Sequence, residues 1–131
     1  MSGFAIVSRS LPGLSAGLAA TLCVLLAWPA TSFGQAFKRL SSKEVRARVV
    51  GMVITDEAHW SDRLLPDGSM QSFDMGKAKT GSWKLEGDEL CLTRKERKGT
   101  TTDCFEVWLL KDRVELRRDG VTVAEGVLRD K

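Results

Sequence analysis

From Thr55 onward the chain is cut at nearly even intervals by turn-forming groups: Pro66–Asp67–Gly68, Met75–Gly76, Glu86–Gly87–Asp88, Lys98–Gly99–Thr100, Lys111–Asp112 and Arg118–Asp119–Gly120. Between them lie short runs that alternate apolar and polar residues, among them SMQSF, SWKL, ELCLTR, CFEVWLL, RVELR and VTVAEGVL. Turns about every 8–12 residues with period-2 runs between them specify consecutive antiparallel hairpins. Alternation gives each strand one buried and one wet face. On this pattern Val114 and Leu116 share a buried face, as do Val121 and Val123, and Trp83 is a core residue beside Leu85. The expectation is a meander of six to eight strands, curled or closed into a small barrel. A barrel holds one small molecule only from roughly eight strands upward, so a filled interior is expected.

Cys91 and Cys104 stand thirteen positions apart, equidistant from the Arg97–Lys98 turn centre. They can therefore face each other across one hairpin. The same register sets Thr93 opposite Thr102, a favourable cross-strand pair, and Leu90 opposite Phe105 on the other face. It also sets Glu89 opposite Glu106, a repulsive pair unless a cation lies between; a one-residue slip or a bulge is the alternative. The disulfide thus belongs to the outer face, with Trp108 on the same side by parity.

One helix precedes the meander. Ser41 with Glu44 forms a capping box, Leu40 and Val45 occupy the staple positions, and Gly51 is placed to terminate. A helix over about 42–50 is too short to stand without packing. The fold class is therefore α+β, mostly β, with one short N-terminal helix packed on the meander.

Residues 1–36 contain a single charged side chain, Arg9, and all 17 acids lie beyond them. Arg9, the apolar run Leu11–Trp28 and the small residues of PATSFGQA follow the order of a secretory signal peptide. Cleavage is expected after Ala36, with Gly34 as the second position. Leu22 stands before Cys23, where a lipoprotein needs a small residue, so Cys23 leaves with the signal. An uncleaved anchor would need about 20 apolar residues, and this run is short and broken by Pro12. The exported domain, 37–131, then carries two cysteines and a formal charge of +2. An even cysteine count in an exported chain points to one disulfide and to the periplasm or the cell exterior. So weak a charge excess gives no case for nucleic acid, and the membrane is met only in transit.

The helix LSSKEVRARVVGM, a D-G hairpin, G-x-W at Gly81–Trp83, G-D-x-L-C at Gly87–Cys91, and a second Cys followed by V-W together resemble a group of small exported bacterial proteins of unknown function. That resemblance implies a single-domain, disulfide-bearing β-meander or β-barrel and no catalytic motif. Gly81, Trp83, Cys91, Cys104 and Trp108 more weakly resemble the periplasmic inhibitors of secreted metalloproteases, where the cysteines stand wider apart.

Candidate chemistry is sparse. Asp56, Glu57, His59, Ser61 and Asp62 cluster in TDEAHWSD, and His59 is the only histidine. A hydrolase would use His59 as base with Ser61 or Ser82 as nucleophile; a metal site would use His59 with two carboxylates. Neither has family-grade spacing, so no catalytic residue, metal ligand or cofactor is assigned. Arg94, Lys95, Arg97 and Lys98 set four cations at a hairpin tip, suited to an anionic surface ligand, and the helix would extend this patch if it packed beside the tip. Trp60 and Trp108 are candidate anchors for a protein partner. The expected function is a periplasmic, non-catalytic binding or structural module, monomeric or weakly associating. The alternative is an inhibitor of a secreted protease, and the third reading is a small hydrolase or metal-binding protein using His59.

Overall fold

A computed structural model describes residues 34–130, and Gly13 alone before them. The expected signal segment, with Cys23, therefore lies outside the described residues up to position 33. Among the described residues no helix is long and apolar enough to cross a membrane. The elements are β1 (Lys38–Arg39), α1 (Ser42–Arg48), β2 (Val53–Thr55), β3 (Trp60–Leu64), β4 (Ser69–Asp74), β5 (Lys77–Glu86), β6 (Glu89–Glu96), β7 (Gly99–Leu110), β8 (Arg113–Arg118) and β9 (Val121–Arg129). Each of β2 to β9 pairs antiparallel with the next, and β2 pairs back onto β9 through Val53–Arg129, Ile54–Leu128 and Thr55–Val127. The result is an eight-stranded, closed, up-and-down barrel, the upper end of the expected strand count. The two-residue β1 adds to β7 beyond the end of the β6 ladder.

Closure divides the residues by parity. Ile54, Leu64, Met70, Trp83, Leu90, Leu92, Phe105, Val107, Leu109, Val114, Leu116 and Leu128 point inward and form one core. Helix α1 stoppers this end, adding Val45 and Val49, with Leu40 just before it. Three bonds set its position: Leu40 N–H to the Val107 carbonyl at 2.8 Å, Ser42 N–H to Asp88 Oδ1 at 2.8 Å, and Gly51 N–H to the Leu64 carbonyl at 2.7 Å. The capping box forms as expected, with Glu44 Oε2 accepting from the Ser41 amide at 2.9 Å. The helix ends at Arg48 rather than 50. Gly51, at φ +89°, turns the chain down to Leu64 and needs the preceding residues in a turn.

The β6–β7 hairpin has the expected register. Cys91 and Cys104 are paired and bonded, with Cα atoms 3.9 Å apart, and Cys91 is fully buried though it faces away from the barrel interior. Thr93 and Thr102 hydroxyls meet at 2.9 Å. Glu89 does lie opposite Glu106, and the conflict is resolved by a cation rather than a slip. Arg39 of β1 reaches Glu106 at 3.5 Å, while Trp108 Nε1 donates to the same carboxylate at 2.9 Å. Trp83 is buried, its Nε1 donating to the Leu65 carbonyl at 2.7 Å.

Two expectations fail: the interior is not filled throughout, because inward polar residues leave a cavity of about 220 Å³ at one end, and two residues expected in the core lie outside it. Val121 and Val123 are 65% and 49% exposed, not core. A bulge between Leu116 and Arg117 pairs Leu116 with Ala124 and Arg117 with Thr122, so Val123 drops out of the ladder and Val121 lands at the strand end opposite Arg118.

Two outcomes test this account. Replacing both Cys91 and Cys104 by Ser should lower the unfolding free energy by about 3 kcal/mol, the value for closing a loop near this length, read from urea denaturation midpoints. Lys38 first, then the Ser41 amide, hold the Glu44 carboxyl down to about 2 from an ordinary 4.5. A depressed folded value means the contribution is complete above about pH 4.5 and lost as pH falls towards 2. Glu44→Gln should therefore lose less stability than the wild type across that window.

Candidate binding pocket at the open end of the barrel

The end opposite α1 is bordered by the 56–59 loop and by the turns at Met75–Gly76, Arg97–Lys98 and Asp119–Gly120. Along the strands leading there, the inward positions change character. Leu64 gives way to Asp62 and Trp60, Met70 to Ser72 and Asp74, and Leu90 and Leu92 to Arg94 and Glu96. With Lys79 of β5, these seven side chains line a cavity of about 220 Å³.

Its innermost member is Asp62, 2% exposed. The Ser72 hydroxyl donates to Asp62 Oδ1 and Arg94 Nη2 donates to Oδ2. A carboxylate buried this far is tolerable only because both oxygens are met and its charge is opposed. Nearer the rim, Lys79 donates to Asp74 at 3.0 Å. That bond, then the Asp74 charge, holds the Lys79 ammonium pKa above its ordinary value, with Glu96 adding to the effect. Trp60 packs partly buried against the core and also lines the cavity.

Two glycines shape this end. A Cβ at Gly81 would stand 2.3 Å from the Thr93 carbonyl oxygen and 2.8 Å from Met70 Cε. A Cβ at Gly126 would stand 2.8 Å from the Thr55 carbonyl oxygen and 3.4 Å from the Trp60 ring. Backbones approach this closely only where a side chain is absent. Gly81 also marks a parting in the wall. The β5–β6 ladder ends at the Gly81–Arg94 pair, and from Thr80 to Lys77 β5 is held by β4 alone. Lys79 and Glu96 stand on either side of that parting.

The residues singled out from the sequence divide. Trp60 and Arg94 come together in the cavity. Lys95, Arg97 and Lys98 stay exposed at the hairpin tip: strand alternation turns Arg94 and Glu96 inward and Lys95 outward, and Arg97 and Lys98 form the turn itself. Helix α1 lies at the opposite end of β6 from that tip, so its cations do not extend the patch. Trp108 sits on the outer wall with the Arg117 guanidinium 4.1 Å from its ring centroid, away from the cavity. His59 is exposed, and its Nδ1 lies 2.8 Å from Asp56 Oδ2. Asp56 is committed to its loop: it accepts from the amides of Trp60, His59 and Ala58 at 2.9, 2.7 and 3.0 Å. Those bonds, the Trp60 amide foremost, hold its carboxyl well below the usual range. No hydrogen bond joins His59 to Ser61 or Ser82 among the described residues. There, too, one His/Cys/Asp/Glu group has metal-like spacing, Glu86 with Cys91 and Cys104, and its two sulfurs are already joined to each other.

Ser72, Asp74, Lys79 and Glu96 were not singled out from the sequence, and Asp62 only as one carboxylate of the cluster around His59. Their signal was present as polar residues at inward parity, all towards the same end of successive strands. Asp62→Asn should lower stability by about 2–3 kcal/mol, since the Arg94 guanidinium then faces a neutral amide. The double change Asp62→Leu with Arg94→Met should recover most of that loss, both read from denaturation midpoints.

Among curated proteins and among solved structures, none matches this chain. Residues 53–122, more than half of its length, match the family model described as Lipocalin-like. That span runs from β2 to the start of β9 and takes in all seven cavity residues. The closed eight-stranded barrel, stoppered at one end by a short helix, agrees with it: the chain belongs to the Lipocalin-like family.

Proposed function

We propose that the protein is an exported, non-catalytic binding module that holds a small polar ligand in the open end of its barrel. The observation that carries this reading is the Asp62–Arg94–Ser72 network at the base of the cavity. A buried ion pair contributes little net stability compared with apolar residues of the same volume, and the other end of this barrel is filled with such residues. Charged groups set in a concave site with an aromatic wall are what orients a ligand. The disulfide and the signal-like segment support export to an oxidising compartment, the bacterial periplasm or the cell exterior. The protease-inhibitor reading has no comparable support: β1 is bonded to β7, and Phe37 lies 5.5 Å from Arg113 and 5.8 Å from Arg117, so this segment is docked on the barrel.

Protein recovered from the cell envelope should begin at Phe37 or Gln35 and contain no free thiol. Screened against a library of small polar fragments by amide and indole NMR shifts, it should give hits clustered on Trp60, Ser72, Arg94 and Glu96. A library that moves none of these signals overturns the reading.

A further inference from the structure

Resting on that reading, we propose that the pocket takes a small organic monocation, an amine or quaternary ammonium group, seated against Trp60 beside Glu96.

Charge decides between ligand classes. The lining holds three carboxylates, Asp62, Asp74 and Glu96, against two cations, Lys79 and Arg94. Asp62 is matched by Arg94, and Asp74 by Lys79. Glu96 makes no ion pair among the described residues. The lining therefore carries one more negative charge than positive, and Glu96, the carboxylate outside both ion pairs, stands at the rim, where an entering ligand meets it first. An incoming anion would face two cations already engaged and one carboxylate free to repel it. An incoming cation meets that free carboxylate without displacing an existing pair.

The aromatic wall favours the same class. An indole ring face attracts ammonium groups, and quaternary ammonium ligands are recognised in this way. Trp60 is held for that role by its backing: Gly126 leaves room for the ring, and the core packs against it. Size sets the remaining limit. At about 220 Å³ the cavity lies below the roughly 300–1,000 Å³ of drug-sized sites, so the ligand is a head group or a small amine.

Three probes separate the outcomes: choline, its neutral isostere of matched size 3,3-dimethyl-1-butanol, and the smaller anion propionate. Each is titrated into isotope-labelled protein while the Trp60 indole and the Asp74 and Glu96 amide signals are followed. Choline should shift these signals saturably, with the neutral isostere at least about tenfold weaker. Glu96→Gln should weaken choline about fivefold, one rim charge in a solvated site, with an unchanged unfolding midpoint. If the isostere or propionate binds as well as choline, or Glu96→Gln binds choline unchanged, the cation class is overturned while the binding-module reading stands. If none of the three probes moves these signals, this proposal is overturned; the fragment screen decides the broader reading separately.

Discussion

Three residue pairs between β2 and β9 turn an open sheet into a tube. Everything inside depends on them. Without that ladder, β2 and β9 would present free edges and Ile54 and Leu128 would lose the enclosure that buries them. With it, strand parity becomes a strict division between inside and outside. β2 is only three residues long, so closure draws support from the core it encloses: Ile54 lies in the same cluster as the helix stopper, Val45 and Val49.

The enclosed space is organised as a gradient. Near α1 the side chains are apolar, aliphatic with Trp83 and Phe105 among them, and complete the packing among themselves. Towards the other end they become hydroxyl, carboxylate, ammonium and guanidinium groups, with Asp62 at the transition and Trp60 beyond it on the same strand. The apolar half carries stability through burial. The ionic half adds little to it, because desolvation offsets attraction. Stability and recognition are therefore assigned to opposite ends of one barrel, and a change at the rim need not disturb the core.

Much of the fold could be read from residue order. The hairpin register followed from the symmetric placement of Cys91 and Cys104 about one turn, and the helix start followed from Ser41 and Glu44. Closure could not be read, because the β2–β9 pairing joins segments some seventy residues apart and no local pattern encodes it. The Leu116–Arg117 bulge was equally hidden: Val121 and Val123 alternate with Thr122, and only the neighbouring strand shows that Val123 is the supernumerary residue. The pocket was half legible. Trp60 and Arg94 stood out by residue type, but as surface features. Recognising them as interior required the parity of several strands to be laid around a closed wall.

The parting beyond Gly81 has a mechanical consequence. On one side of it, β6 and β7 are clasped covalently and act as one stiff blade. On the other, the tip of the β4–β5 ribbon is secured along one border only. Displacement near the rim is thus concentrated in that ribbon, and a guest leaving the interior would have a sideways exit, through a slit flanked by an amine and an acid, as well as the way out past the loops.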